Sequence, residues 1–232
     1  MCGRYARKSV PRLLAEWFAM ELEELRHSFP SWNVTPQSFQ PVVRLNPETG
    51  CREAPLLRWG LVPAWARNER VGLSTINARS EEASTKPAFR EALKKRRCLV
   101  PADAYYEWQK TGTKSRQPHA IASAEGSPMA FAGLWERWLA PTGRPLESFT
   151  ILTTAANQKL QAIHERMPVI VERENYSSWL ADEKATADLL RPLAADRLTS
   201  WPVSSRVGHV RNNDAALLEP CEPEESRQGT LF

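Results

Sequence analysis

The chain has 232 residues, which allows one large domain or two small ones. Hydrophobic residues make up 42% and charged residues 25%, a composition that supports a packed core and excludes wholesale disorder. No stretch approaches the roughly 20 apolar residues that a membrane span needs. The basic N-terminus has no apolar stretch behind it and therefore does not read as a secretory signal. The sequence predicts a cytoplasmic protein without a membrane partner.

The charge of the chain is positive and uneven. The formal net charge is +4, yet residues 219–232 contain four Glu and one Arg, which leaves +7 on the preceding part. Of the 31 basic residues 23 are Arg, and nine Trp accompany them. This pattern favours single-stranded nucleic acid, because Arg neutralises phosphates and aromatic rings stack on bases. The alternative is ordinary: Arg on solvated faces and Trp in the core.

The predicted elements begin with an amphipathic helix at residues 11–26, where Pro11 suits the first helical turn. Short apolar runs between turn residues then predict strands at Pro41–Leu45, Leu56–Leu61, Cys98–Pro101, His119–Ser123, Met129–Leu134, Phe149–Thr154 and Pro168–Glu172. Further helices are predicted at Lys86–Lys95, Ala155–Ile163, Glu174–Ala181 and Ala185–Leu193.

These elements show no regular alternation of strand and helix. They predict an α+β fold with a mainly antiparallel, barrel-like sheet and flanking helices. Residues 109–117 predict a hairpin loop, and residues 219–232 predict an acidic flexible tail. Because no repeat or linker interrupts the chain, we expect a single domain over residues 1–218.

The cysteines and histidines do not indicate a metal site. Cys2, Cys51, Cys98 and Cys221 lie far apart, without a C-x-x-C pair, which argues against bound zinc and against a redox dithiol. The four histidines are not spaced as a metal cluster. We therefore expect neither a metal nor a cofactor.

Cys2 is the first candidate for chemistry because removal of Met1 would give it a free α-amine beside its thiol. Such a 1,2-aminothiol condenses with an aldehyde to an imine, and the thiolate then closes a thiazolidine ring. The amine pKa of about 7.7–8.0 leaves a useful neutral fraction at physiological pH. Alternatively, the amine could serve as base for the thiol in amide hydrolysis. The third possibility is an inert, frayed chain start.

Asn77 and Arg79 form a second candidate cluster. In an extended segment, residues two apart share one face, so an amide would lie beside a guanidinium and could orient a sugar or a phosphate. The alternative is a polar loop with a helix cap at Ser80.

Glu107 and His164 are candidates for proton transfer. Glu107 follows an aromatic run, where desolvation would raise its pKa and make it a general acid, unless it points from an edge strand to water. His164 precedes an apolar strand and could act as general acid or base near neutral pH. Its alternative role is that of a C-terminal helix cap.

Taken together, these segments resemble a known family. The chain contains, in order, MCGRYA, SWNVTP, LRWGLVPAW, INARSE, RCLVPADAYYEW, FAGLWE, FTILTTAAN and IHERMPVIV. From Cys2 to about Asn213 it closely resembles the SRAP (SOS response-associated peptidase) family of abasic-site processing proteins. The resemblance implies a single α+β domain, removal of Met1, and a covalent thiazolidine between Cys2 and the ring-opened aldehyde of an abasic site in single-stranded DNA.

The resemblance also implies roles for individual residues. Asn77 would contact the opened sugar, Glu107 would assist ring opening and proton transfers, and His164 would assist Schiff-base chemistry and slow reversal of the crosslink. It implies DNA contacts by arginine side chains, aromatic rings near the DNA junction and further site-lining residues: Arg4, Arg79 and Arg166; Trp65 and Trp108; Asn33, Pro36 and Thr153.

Other functions stay open at this point. One is a cysteine peptidase of the N-terminal-nucleophile type, and another is a non-catalytic single-strand binder. Residues Gln228–Phe232 follow an acidic segment and look like a bacterial sliding-clamp-binding peptide, with a random tail as the alternative.

Overall fold

Strands dominate the structure, a computed structural model that describes residues 2–112, 115–181 and 186–223. The described residues contain fifteen strands in three sheets. The strands are β1 Tyr5–Arg7, β2 Ser31–Val34, β3 Phe39–Pro41, β4 Arg44–Leu45, β5 Arg52–Glu53, β6 Leu56–Trp59, β7 Asn77–Arg79, β8 Arg97–Ala102, β9 Ala104–Lys110, β10 Arg116–Ser123, β11 Met129–Leu139, β12 Pro145–Ala155, β13 Arg166–Pro168, β14 Ile170–Val171 and β15 Leu198–Pro202.

The first sheet has five strands in the order β15-β10-β9-β1-β2, and every neighbouring pair is antiparallel. Two registers in this sheet matter for the site. Tyr5 of β1 lies opposite Tyr105 of β9, and His119 of β10 lies opposite Glu107 of β9. Residues directly opposite each other on antiparallel strands share one face, so His119 and Glu107 are on the same side of the sheet.

The second sheet has eight strands. Its main path is β14-β11-β12-β6-β3, with β8 on β11 and both β7 and β13 on β12, while β4 and β5 form a separate two-stranded sheet. Strand β12 pairs in parallel with β6 and β7, and the other pairs are antiparallel. The predicted α+β class with mainly antiparallel sheets is confirmed. The described strands do not form a closed barrel, because β2, β3, β14 and β15 end their paths as edges.

The main core lies between the two large sheets. It brings Tyr5 and Tyr105 of the five-stranded sheet against Phe131 and Phe149 of the eight-stranded sheet, and it includes Cys2. A second cluster covers the other face of the eight-stranded sheet, beneath the first and fourth helices. Side chains alternate along a strand, so neighbouring β12 residues enter opposite clusters and this sheet is buried on both faces.

Helices are short in the described residues. They are α1 Pro11–Phe18, α2 Ser80–Ala83, α3 Arg90–Lys95, α4 Tyr176–Ala181 and α5 Thr186–Leu189, with 3-10 turns at Leu22–Leu25, Glu69–Leu73, Arg173–Asn175, Ala195–Arg197, Ser205–Gly208 and Ala215–Leu218. In the part of the chain that is described, no helix has the length and apolarity to span a membrane.

Two predicted helices are shorter than expected. The helix at residues 11–26 stops at Phe18, because Ala19 adopts a left-handed conformation with φ of 50° and its N–H caps the Ala15 carbonyl. The helix predicted from Lys86 begins only at Arg90, since a proline at 87 disfavours helical backbone at the residue before it.

Other boundaries also differ from the sequence prediction. The helix expected at Ala155–Ile163 is wrong: β12 runs through Ala155 and a series of turns follows, in which the Asn157 side chain accepts the Leu160 N–H. The helix predicted to Leu193 ends at Leu189, before a proline at 192.

The predicted hairpin loop at 109–117 is narrower than expected, because β9 continues to Lys110 and β10 begins at Arg116. The short strands β1 and β2 and the long strand β9 were not predicted.

The start of the predicted acidic tail belongs to the fold. Pro220 forms a β-bridge with Val203, and the Cys221 N–H donates to the Pro202 carbonyl at 3.0 Å. Residues 224–232, with the clamp-like segment Gln228–Phe232, lie outside the described residues.

We expect the Arg44→Ala substitution to destabilise the fold. The Arg44 guanidinium is 8% exposed, binds Glu53 at 2.5 Å and Glu147 at 3.0 and 3.1 Å, and lies 3.9 Å from the Trp135 ring centroid. Its removal leaves two carboxylates without their cation, at a cost of about 3 kcal/mol. The free energy of unfolding, determined by urea denaturation, measures this cost. The matched control Arg12→Ala, 83% exposed, should change the free energy of unfolding by less than about 0.5 kcal/mol. Equal effects would contradict the account.

Candidate functional site

Cys2 is held inside the protein. It is 0% exposed and packs in the core between the sheets, and its backbone carbonyl accepts a hydrogen bond from Asn77 Nδ2 at 2.8 Å. Burial raises the pKa of its thiol far above the ordinary value, and the charge of Glu107 raises it further. The thiol is therefore neutral in the free protein, and any reaction as a thiolate requires a base within the site.

Asn77 lies beside Cys2 because β7 pairs with the central strand β12. Asn77 is opposite Ile151 in a parallel register, which sets its amide against the start of the chain. Asn77 Oδ1 is buried and has no hydrogen-bond partner among the described residues. A buried acceptor without a partner is costly, so this oxygen is suited to a hydroxyl group of a ligand.

Glu107 reaches the same region from the five-stranded sheet. Tyr5 pairs with Tyr105, and the Tyr106 N–H donates to the Arg4 carbonyl at 3.0 Å, so continuing the register places Glu107 opposite Gly3. The side chain is 4% exposed, and burial raises its pKa, an effect that the nearby His164 partly offsets. Glu107 thus retains its proton to a higher pH than an ordinary carboxyl.

His164 enters from the loop that joins β12 and β13. Its N–H donates to the Leu160 carbonyl at 2.9 Å, and its Nδ1 accepts the Arg166 N–H at 3.0 Å. Nδ1 also lies 3.3 Å from the Arg166 carbonyl, so it faces both a donor and an acceptor of the Arg166 backbone, and these contacts hold the ring in place. The charge of His164 acts on Glu107 and lowers its pKa, which places the two side chains in the same region of the molecule.

The Arg166 side chain forms an ion pair with Glu81. Its guanidinium donates to both carboxylate oxygens of Glu81, at 2.7 and 2.8 Å, and to the Thr153 carbonyl at 2.6 Å. This hydrogen bonding lowers the pKa of Glu81. The same two-pronged geometry fits a phosphate group as well as a carboxylate. Sequence reasoning missed Glu81, although it directly follows the INARS segment.

Arg4 and Asn33 hold a loop of their own chain. Arg4 donates to Asn33 Oδ1 at 2.9 Å, to the Val207 carbonyl at 2.8 Å and to the Gly208 carbonyl at 3.1 Å. Asn33 Nδ2 donates to the Asn212 carbonyl at 2.8 Å. The two side chains for which DNA contacts were predicted therefore bind the chain itself. These hydrogen bonds fix the loop at 207–212 beside the N-terminal strand.

The remaining predicted residues differ in exposure. Trp65 is 64% exposed, whereas Trp108 is half-buried and packs on the cluster around Tyr106. Thr153 is fully buried on β12, opposite Arg79. Pro36 is half-buried. Thus Cys2, Asn77, Glu107 and His164 come together, and β12 aligns Arg79, Thr153 and Arg166 beside them, while the exposed ring of Trp65 has no described contact with Cys2.

We expect Asn77→Ala to slow reaction at Cys2 about tenfold. The substitution removes the hydrogen bond that fixes the Cys2 carbonyl, and a buried hydrogen bond contributes about 1–2 kcal/mol. The rate constant for modification of the N-terminal cysteine by a soluble aldehyde measures this. Ser74→Ala, at an exposed position of the preceding turn, is the control. An unchanged rate for Asn77→Ala would show that the contact does not orient Cys2.

The site thus unites a thiol, an amide, a carboxyl with a raised pKa and an imidazole. This set defines a class: an α+β protein with a buried cysteine next to its N-terminus and, around it, the side-chain types that acid–base chemistry uses. Residues 1–210 match the family described as SOS response associated peptidase (SRAP), and the chain belongs to that family.

Its relatives include abasic site processing proteins from bacteria and animals. The chain is 39% identical to the abasic site processing protein YoqW of Bacillus subtilis, over 94% of this chain and 99% of YoqW. It is 32% identical to the abasic site processing protein HMCES of Mus musculus, over 96% of this chain and 76% of HMCES. A crystal structure of a Bacteroides thetaiotaomicron protein superposes with a TM-score of 0.85 at 25% identity, covering 95% of this chain and all of that one.

Proposed function

We propose that this protein processes abasic sites by forming a covalent thiazolidine between Cys2 and the ring-opened sugar in single-stranded DNA. The observation that carries the proposal is the convergence of Glu107, Asn77 and His164 on a cysteine that needs only the loss of Met1 to become an aminothiol. The relatives' names support the substrate. Such an adduct would shield the lesion from strand cleavage during the DNA damage response.

The proposed reaction balances without a redox partner. The closed sugar opens to its aldehyde when the ring oxygen gains a proton and the C1′ hydroxyl loses one. The Cys2 amine then forms a bond to C1′, and loss of water gives the imine. The Cys2 sulfur adds to the imine carbon, and the thiol proton ends on the nitrogen. The sum is aminothiol plus aldehyde giving thiazolidine plus water.

Each site residue has a proposed part in these steps. Glu107, whose raised pKa favours its protonated form, donates to the ring oxygen and later relays the thiol proton. His164 donates a proton to the hydroxyl that leaves as water. Asn77 orients Cys2 and offers its unpartnered oxygen to a sugar hydroxyl. Arg79 and Arg166 bind phosphates of the DNA. To do so, Arg166 releases Glu81 and binds a phosphate with the same guanidinium edge.

Single-stranded DNA is the proposed substrate because its sugar is accessible without extrusion from a duplex. The positive body of the chain supports backbone binding, and the exposed Trp65 ring offers a stacking platform for a base. Arg4, Asn33, Pro36, Trp108 and Thr153 are proposed to shape the channel.

The test is a denaturing gel. Purified protein is incubated with single-stranded DNA in which a uracil glycosylase has created one abasic site. We expect a shifted band that survives denaturant, depends on the abasic site and is absent with the same DNA before glycosylase treatment. If no such band forms with wild-type protein, the proposed function is wrong.

A second candidate function is that of an N-terminal-nucleophile cysteine peptidase, which the family's description favours. It requires cleavage of a peptide bond by Cys2, with removal of Met1 as the simplest case. A short extension placed before Cys2 tests it: trimming by the purified wild-type protein but not by Cys2→Ala would support peptidase activity. Trimming of both, or of neither, would contradict it.

A cytoplasmic, nucleoid-associated location is also proposed, because the proposed substrate is DNA. A sliding-clamp partner is proposed from the sequence of Gln228–Phe232. Deletion of this segment should abolish pull-down of the purified clamp. Retention of full clamp binding by the deletion variant would exclude the segment as the binding motif.

A further inference from the structure

The strand that carries Glu107 is connected to the loop that carries His164 by Gln109. Gln109 Nε2 donates to the Ala162 carbonyl at 3.2 Å, and Ala162 lies two residues before His164. Because side chains alternate along β9, Gln109 and Glu107 share one face of the sheet. The Gln109 side-chain amide is therefore a short link between the strand of Glu107 and the loop of His164.

His119 fixes the orientation of that amide. Its Nε2 lies 3.0 Å from Gln109 Oε1, and it is opposite Glu107 in the register of β9 and β10. Since Gln109 uses its NH₂ group on Ala162, its oxygen must accept, and His119 Nε2 must donate. His119 Nδ1 is buried without a hydrogen-bond partner among the described residues, which agrees with a neutral imidazole and with the lowering of its pKa by burial.

Other contacts anchor the beginning of the same loop. Asn157 Nδ2 donates to the Leu193 carbonyl at 2.9 Å, and Lys159 Nζ donates to the Leu198 carbonyl at 2.6 Å. Both lie at least five residues before His164. The contact at Ala162 is nearer to the imidazole, and it comes from the strand of Glu107.

We propose that Gln109 and His119 are positioning residues that hold the His164 imidazole at its working distance from the Glu107 carboxyl. The proposal rests on the proposed function, in which these two groups transfer protons to and from the same sugar. A misplacement of about 1 Å in such an arrangement lowers a rate by up to about 100-fold, so a tether between the two elements has a measurable effect.

The kinetic test uses wild-type protein and the variants Gln109→Leu and His119→Phe. At saturating abasic-site DNA, the rate constant for adduct formation should fall about 10- to 100-fold, while the DNA concentration at half-saturation stays unchanged. His119→Gln keeps a donor and should recover most of the rate. A change in half-saturation alone, or no change at all, would overturn the proposal.

A double-mutant cycle shows whether Gln109 acts through His164. In a His164→Ala background, Gln109→Leu should cause no further loss of rate, because the group that it positions is absent. Multiplicative losses would overturn the proposal. Gln109→Asn, which keeps the amide but is one methylene too short to make both contacts, repeats the test if Gln109→Leu does not fold.

A readout without DNA separates this proposal from the proposed function. The ring proton resonances of His164 are followed by NMR in wild-type protein and in Gln109→Leu. We expect these resonances to shift in the variant. If wild-type protein forms no adduct, the proposed function fails. If the adduct forms but the His164 resonances are identical in both proteins, the positioning role fails.

Discussion

Cys2→Ser should abolish the adduct that survives denaturation. Serine keeps the α-amine after removal of Met1, so an imine with the abasic site still forms, but the hydroxyl does not close a stable ring as the thiol does. We therefore expect loss of at least about 99% of the gel-stable product, with a band restored only when borohydride reduces the imine. This outcome separates the role of the sulfur from that of the amine.

Two further proteins control this experiment. Cys51→Ser changes an exposed cysteine and should form the adduct at the wild-type rate. A chain in which one additional residue keeps Cys2 from becoming N-terminal should not form the stable adduct, because the Cys2 nitrogen is then part of a peptide bond and the aminothiol is lost. Full adduct formation by Cys2→Ser would contradict the thiazolidine, and formation by the extended chain would exclude the aminothiol.

Glu107→Gln should slow adduct formation at least about 100-fold while stabilising the fold. General acid catalysis by one positioned group contributes about 10²- to 10⁴-fold, and glutamine has no proton to give. Glu107 is 4% exposed and its pKa is raised by burial, so its ionised form is disfavoured in the folded protein. Glu48→Gln, at an exposed position, is the matched control for loss of a carboxylate and should affect neither property.

The raised pKa of Glu107 also fixes a pH dependence. A carboxyl whose pKa rises on folding binds more protons in the folded state, so its contribution to stability falls as the pH rises through the window above the ordinary carboxyl pKa. The difference in melting temperature between Glu107→Gln and wild type should therefore grow with pH in that window.

The ratio of wild-type to Glu107→Gln adduct rates should shrink over the same range, because wild type loses its acid form. A constant rate ratio would contradict the role of Glu107 as general acid.

The sequence predicts the residue types of this site better than it predicts their hydrogen-bond partners. Cys2 stands out because its position, and not its environment, gives it a potential amine. Glu107 is recognisable from the aromatic run before it, and the structure buries it as that run suggests. The α+β class follows from short apolar runs without helical alternation, and it is confirmed.

What the sequence does not predict depends on contacts between distant residues. The partners of Arg4 are Asn33 and carbonyl groups at 207 and 208, about 200 residues away, so local reading assigns this guanidinium to a ligand. The pairing of Arg166 with Glu81 spans 85 residues. The segment after Ala155 has the composition of a helix, yet it forms turns that tertiary contacts at Asn157 hold in place.

The sequence also does not predict the number of free sheet edges, because that number depends on which strands pair with each other. Alternating burial identifies a strand but does not name its neighbour. The branch at β12, which receives both β7 and β13, brings Asn77 and Arg166 to the same region from segments nearly 90 residues apart.

The most direct test of the central claim is the intact mass of the adduct, followed by sequencing of the crosslinked peptide. Protein and single-stranded abasic-site DNA react without a reductant and are then denatured. The account predicts a species with the mass of the protein without Met1, plus the mass of the DNA, minus one water, and with the DNA remnant on Cys2. A stable adduct that retains Met1, or one attached to a lysine, would contradict it.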